Sequence, residues 1–137
     1  MHCYRKQLAS PVAVNDIILP SSKSKGMRIA LRPFVKEFLS SVSKLFEVIV
    51  FTASSKSYAD AVIDQLDPDK LYVSHRLYRE HCHRTELGLL VKDLRVIGNR
   101  KLENLVLVDN AHHSYMFQQA NGIPILPFRN DYEDNEL

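Results

Sequence analysis

The sequence predicts an α/β fold: a doubly wound parallel sheet carrying a small β-hairpin insertion. Three observations lead there. Residues 47–51 and 105–108 are short, β-branched apolar runs of the kind found in strands covered on both faces. Stripes of apolar residues at helical spacing stand beside them. The order is helix, strand, helix, strand, helix, strand, which calls for right-handed crossovers and helices on both faces of the sheet.

The elements follow in order. Residues 15–31, NDIILPSSKSKGMRIAL, hold two apolar stretches around a Ser/Lys/Gly cluster and read as a hairpin. Pro33 suits the first position of a helix, and Phe34, Val35, Phe38, Leu39, Val42, Leu45 and Phe46 then recur at helical spacing. The strand at 47–51 runs into Thr52-Ala-Ser-Ser, a hydroxyl-rich turn suited to capping the next helix, whose stripe is Ala59, Val62, Ile63 and Leu66. After Asp67-Pro-Asp-Lys the pattern turns irregular, with 71–73 and 76–79 as short strand candidates. A second buried strand at 105–108 leads into Asp109-Asn110. A short helix through Tyr115 and Phe117 follows, which Asn121-Gly122 can stop, and 123–126 reads as a third strand.

Composition narrows the function classes. The chain has 137 residues, 45% apolar and 25% charged, which fits one domain over 1–137 able to bury a core without disulfides or a structural metal. Eight Lys/Arg against two Asp/Glu give residues 1–46 a net +6, and the remainder carries −4. A nucleic-acid binder would show a stronger basic bias, so no nucleic-acid partner is expected. Asp131, Glu133, Asp134 and Glu136 are expected to face no basic neighbour, in a solvated turn or helix start. Cys3 and Cys82 form no C-x-x-C pair and read as free thiols of a reducing compartment. No apolar run is long enough to cross a bilayer and no signal-type core follows Met1, so the visible chain reads as soluble.

In an open parallel sheet, ligands bind outside the carboxyl ends of the strands. Two strands here end in polar groups, Thr52 after one and Asp109-Asn110 after the other. Asp109 and Asn110 are hard oxygen donors of the type Mg²⁺ takes together with water and phosphate oxygens. Thr52 could hydrogen-bond a phosphate oxygen, and Lys92 could bring a cation to the same group. Taken singly, Thr52 could equally cap a helix and Asp-Asn open a turn.

The combination is more specific. Leu31-Arg32-Pro33-Phe-Val-Lys-Glu-Phe38, Val50-Phe51-Thr52-Ala53-Ser54, Tyr58-Ala59-Asp60, Leu77-Tyr78-Arg79-Glu80, Val91-Lys92-Asp93-Leu94 and Leu107-Val108-Asp109-Asn110 occur in that order. Together they resemble the carboxy-terminal-domain phosphatases of the haloacid dehalogenase superfamily over nearly the whole chain. The resemblance implies a doubly wound α/β sheet and Mg²⁺-dependent hydrolysis of phosphoserine or phosphothreonine in a phosphorylated protein or peptide. It implies that Thr52 is the phosphate-binding hydroxyl, Lys92 the cation that steadies the phosphoryl group, Asp109 a metal ligand and Asn110 its partner beside the metal. Arg79 matches a basic residue at the substrate mouth.

One departure bears on chemistry. Family members open their catalytic strand with D-x-D-x-T, whose first Asp attacks phosphorus to form an aspartyl phosphate while the second serves as general acid and base. Residues 1–137 hold no such motif, and Asp16, the first carboxylate, lies within the hairpin and does not replace it. Family sequences commonly read D-x-D-x-T-L-V-H-C, so Met1-His2-Cys3 stands where V-H-C would, and Asp131 to Leu137 resembles the lead-in to the family's last helix. The expectation is therefore a domain truncated at both ends or a diverged, inactive relative. Residues 1–137 alone should show no turnover, and bared sheet edges should make them poorly soluble. The alternative is a noncatalytic binding module resembling the mitochondrial inner-membrane import receptor subunit. Such a protein would carry a transit peptide and a span, which this chain does not show; a nuclear or cytoplasmic setting is favoured and a mitochondrial one stays open. A small-molecule phosphatase of the wider superfamily fits the Arg-Pro and Val-Lys-Asp-Leu texts less well.

Other features have plain readings. His81-Cys82-His83 alternate in direction along an extended segment and cannot all reach one ion, so they read as exposed hairpin residues. His112 and His113 suit a short exposed turn, Tyr115 and Phe117 suit packing against the sheet, and the Lys23-Ser-Lys25 loop with Arg28 suits a charged hairpin tip.

Overall fold

The computed structural model describes residues 17–19 and 26–137. The Lys23-Ser-Lys25 tip and Cys3 lie outside the described residues. Contacts gather the chain into two compact units. The first holds the described residues up to Val48 with Asp60–Ser74 and Phe128–Leu137, and the second holds Ile49–Ala59 and His75–Pro127.

In the first unit, β1 (Ile17–Leu19) and β2 (Met27–Ile29) form the antiparallel pair expected of the hairpin, with Ile17 opposite Ile29 and Leu19 opposite Met27. Period-two alternation buries Ile17, Leu19 and Ile29 and leaves Ile18 56% exposed. Helix α1 (Val35–Val42) starts later than Pro33 suggests. Phe34 occupies the cap with a left-handed φ of 62°, a conformation that the preceding Pro ring does not supply. The helix also ends before Leu45 and Phe46, which lie 79% and 63% exposed beyond a turn closed by the Phe46 N–H on the Val42 carbonyl. Asp67, 1% exposed, follows helix α2 (Lys56–Leu66), and its carboxylate accepts the backbone N–H groups of Leu71, Tyr72 and Val73 at 2.8–3.0 Å. That nest orders the irregular segment before β4 (Val73–Leu77), one strand where the sequence suggests two short ones.

The acidic tail departs from expectation as well. Asp134 takes a bidentate contact from Arg32, Nε to Oδ1 at 2.8 Å and the terminal nitrogen to Oδ2 at 2.7 Å, with both side chains nine-tenths covered. The arginine hydrogen bond holds the Asp134 carboxyl below its ordinary value. The two residues stand 102 positions apart, beyond the reach of any local charge count.

The second unit holds most of the strand pairs. β3 (Val48–Phe51) pairs with β4, and α2 runs between them in the chain. Only Phe51 of β3 is buried, so the run that reads as fully covered is half-covered. β5 (His83–Arg84) and β6 (Leu90–Val91) form an antiparallel hairpin. β7 (Leu107–Asp109) and β8 (Gly122–Pro124) form a parallel pair with Leu107 opposite Gly122 and Asp109 opposite Pro124. β7 alternates, with Leu107 and Asp109 buried and Val108 43% exposed. The short helix expected after Asp109-Asn110 is a 3-10 turn, His112–Tyr115.

Leu94, Leu107 and Tyr115 make the core beneath this pair, with Ile97 and Leu105 packed on it. Gly122 is required there, because a Cβ on it would lie 2.3 Å from the Tyr115 ring. Phe117, expected against the sheet, is instead 41% exposed, with its ring edge-to-face with His83 at 5.2 Å. In all, the described residues show an α/β fold of two helices and four two-stranded pairs, parallel and antiparallel.

Candidate active site

All five site residues expected from the sequence fall within the second unit. The first segment leaves β3. The Thr52 N–H donates to the Leu77 carbonyl at 2.9 Å, carrying the β3–β4 pairing one residue past the strand. The Thr52 Oγ1 accepts the Ser54 N–H at 3.1 Å, a hydroxyl turn rather than a bond to the α2 end. Because a hydroxyl has one proton and two lone pairs, that bond leaves the Thr52 O–H free to donate.

Arg79 clips onto this loop. Its backbone N–H donates to the Ser54 carbonyl at 3.0 Å and its Nε to the Ala53 carbonyl at 2.8 Å, while the guanidinium stays exposed. The 3-10 turn Arg79–His81 is held in turn by the Tyr78 N–H, which donates to His81 Nδ1 at 2.9 Å. Tyr78 itself is buried, and Lys56 places its ammonium 4.5 Å from the centre of that ring.

The second and third segments meet in an ion pair. Lys92, just past β6, donates from Nζ to Asp109 Oδ2 at 2.5 Å, with side chains 13% and 8% exposed. Asp109 Oδ1 accepts the Ala111 N–H at 2.7 Å, so the carboxylate ties the end of β7 to the turn that follows. Burial works to raise the Asp109 carboxyl. The Lys92 hydrogen bond and charge, with the Ala111 N–H and the Ser114 hydroxyl, overcome it and hold the group below its ordinary 3.8. Asp109 is therefore an anion at neutral pH in a half-dry setting.

Cys82 joins the segments, and the plain reading of it as an exposed hairpin residue is corrected here. Its half-buried thiol lies 3.9 Å from the Thr52 carbonyl and 3.8 Å from that of Tyr78. Burial pushes the thiol up, while Lys92 and Arg79 pull it down and Glu80 and Asp109 raise it. The thiol thus touches the Thr52 carbonyl and is influenced by the charges of Lys92, Arg79, Glu80 and Asp109. Nothing in the spacing of His81-Cys82-His83 signals this, because the fold and not the local pattern turns the thiol inward. The two histidines do behave as surface residues.

Asp109 and Asn110 suit a hard dication. The carboxylate offers about four lone-pair sites, more than Lys92, Ala111 and Ser114 take. The Asn110 amide makes no hydrogen bond among the described residues, which leaves its carbonyl able to accept. No group of three or more His, Cys, Asp or Glu side chains gathers among the described residues. This donor set fits Mg²⁺, which binds through one or two carboxylates and completes its shell with water and phosphate oxygens.

Comparison with known proteins gives the family. The sequence profile of the NLI interacting factor-like phosphatases matches residues 1–137, and the chain belongs to that family. It is 39% identical over 137 residues to CTD small phosphatase-like protein 3 of Caenorhabditis elegans, covering 100% of this chain and 47% of that protein. It is 35% identical over 133 residues to mitochondrial import inner membrane translocase subunit TIM50 of Debaryomyces hansenii, covering 96% of this chain and 28% of that one. The chain thus spans half or less of the length of these relatives. Its fold is similar to that of the fission yeast RNA polymerase II CTD phosphatase Fcp1 bound to beryllium fluoride, with a TM-score of 0.64 and 23% identity over 88% of this chain and 35% of that one.

Proposed function

We propose that residues 1–137 supply the phosphoryl-holding half of a Mg²⁺-dependent protein serine/threonine phosphatase site, within one domain of the family. The observation that carries this reading is the Lys92–Asp109 ion pair at the end of β7, in the same unit as the Thr52–Ser54 turn onto which Arg79 clips and whose Thr52 carbonyl the Cys82 thiol meets. Mg²⁺, when held by Asp109 and Asn110, neutralises phosphate charge and orients its oxygens. The Thr52 O–H donates to one phosphoryl oxygen. Lys92 has three donors and spends one on Asp109, so its others can meet another oxygen. Arg79, with one donor on Ala53 and the rest facing solvent, suits an acidic or phosphorylated peptide at the mouth.

None of these groups is a nucleophile of the family's kind. The 137 residues by themselves are therefore expected to bind phosphate without hydrolysing a phosphoserine peptide, the family's attack belonging to D-x-D-x-T. Calorimetric titration with inorganic phosphate and Mg²⁺ tests the reading. Affinity should require the metal and fall about tenfold or more in Lys92→Met and in Asp109→Asn. Metal-independent binding, or binding indifferent to both substitutions, refutes the assignment, as does any phosphatase rate that survives Asp109→Asn. The likeness to an import translocase subunit keeps a second reading, a noncatalytic peptide-binding module, and absence of phosphate binding favours it.

A further inference from the structure

We infer that Gln118 is a positioning residue for the Lys92 ammonium, its amide fixing the separation across which that cation reaches Asp109. Gln118 is 9% exposed and lies beyond the 3-10 turn that follows Asp109-Asn110. Both ends of its amide cross to the segment carrying Lys92. Oε1 accepts the Leu94 N–H at 3.1 Å, and Nε2 donates to Asp93 Oδ1 at 2.9 Å. Only one orientation of the amide works, since the reverse would set N–H against N–H and oxygen against carboxylate. A third tie runs alongside, the Lys92 N–H on the Ser114 carbonyl at 2.8 Å.

The consequence is geometric. Residues 92, 93 and 94 are each bonded to the 114–118 stretch, which itself continues from the Asp109 carboxylate through the Ala111 N–H. The cation and its carboxylate partner therefore sit on one cross-braced body within the second unit. A lysine stem has enough rotamer freedom to follow a wandering backbone, and the brace removes the need. Asp93 is itself fixed, its carboxylate spread over the Arg95 guanidinium at 2.6–3.0 Å, so the Gln118 donor meets an anchored acceptor.

The phosphate arm of the test rests on the proposed function, and the exchange arm does not. Phosphate affinity with Mg²⁺ would be measured for the unsubstituted chain, Lys92→Met, Gln118→Met and the double variant, alongside amide hydrogen exchange. Gln118→Met should weaken binding about tenfold and add nothing once Lys92 is gone. The Lys92 amide should lose protection together with that of Leu94, while amides of α2 keep theirs. Gln118→Glu retains the acceptor for Leu94, should fold where the Met variant does not, and should shift both readouts in the same direction.

Unchanged affinity in Gln118→Met while Lys92→Met loses it overturns the inference. So does an equal further loss in the Lys92→Met background, which marks general damage, or a Leu94 amide that opens while Lys92 stays protected. No phosphate binding by the unsubstituted chain refutes the proposed function instead, and the exchange pattern alone then decides the brace.

Discussion

Replacing Lys92 by Met removes the ammonium and keeps most of the stem, leaving the Asp109 carboxylate 8% exposed with the Ala111 N–H and the Ser114 hydroxyl. Stripping one member from a buried ion pair costs about 3–5 kcal/mol, chiefly because the survivor stays desolvated. Two donors remain on Asp109 and Lys92 was 13% exposed, which places the expected loss at the low end, about 3 kcal/mol at neutral pH. Asp109→Asn should cost only about 1 kcal/mol, because the amide still accepts from Ala111 and the freed ammonium can swing its stem to water. The sign with pH follows from linkage. In the unsubstituted chain Asp109 titrates below 3.8, so its stabilisation is complete above that value and is lost as pH falls through the folded one. In Lys92→Met, burial is no longer outweighed, the folded value rises, and protonation relieves the variant. The stability gap between the two chains should therefore be widest near neutral pH and narrow toward about pH 4.5. Urea unfolding followed by far-UV circular dichroism at both pH values measures it, and Lys92→Met/Asp109→Leu should lose less than Lys92→Met alone. A gap that is the same at both pH values, or a double variant worse than either single one, defeats this account of the pair.

Four further outcomes are expected. Asp67→Ala strips the acceptor from three backbone N–H groups and should cost about 3 kcal/mol in urea unfolding, with Asp67→Asn milder; equal costs would speak against the nest. Gly122→Ala drives a methyl into the Tyr115 ring and should lose about 2 kcal/mol, whereas an unchanged midpoint would mean that the ring moves freely. Asp134 is held low by Arg32, so its contribution to stability is present above 3.8 and fades below; carboxyl NMR should show its midpoint move up toward 3.8 in Arg32→Met, and a midpoint that stays put breaks the pairing. Chelation of Mg²⁺ should abolish phosphate binding by the unsubstituted chain in calorimetry, and binding that persists in excess chelator would take Asp109 and Asn110 out of the metal role.

Local chemistry made parts of the fold readable. The hairpin turns on apolar alternation around a polar cluster, α2 on the Ala59, Val62, Ile63 and Leu66 stripe, and β7 on a run that ends at Asp109, and each lies where its pattern puts it. What resisted reading is what depends on partners far off in sequence. Leu45 and Phe46 continue the period of α1 yet fall outside it, because periodicity records which residues could share a face and not where the backbone stops. The acidic tail looks solvated until Arg32, 102 residues earlier, closes on Asp134. Asp67 reads as part of a Pro-containing loop, although burial and three N–H bonds make it the element that orders that loop.

The site shows the same division more sharply. Thr52, Lys92, Asp109 and Asn110 were marked as candidates by strand ends and ordered motifs, and Arg79 by its place within the motif Leu77-Tyr78-Arg79-Glu80. Their neighbours were not, since each acts through backbone. Cys82 is turned inward by the carbonyls of Thr52 and Tyr78, Ser114 receives the Lys92 N–H on its own carbonyl, and Gln118 grips an N–H and a carboxylate of a different segment. Backbone carbonyls are the same at every residue type, so no motif encodes which of them a side chain will find. Residues whose motifs stand at strand ends can thus be named from the chain text, whereas Ser114 and Gln118, which tie the Lys92–Leu94 segment to the chain beyond Asp109, emerge only once the fold brings the two segments together.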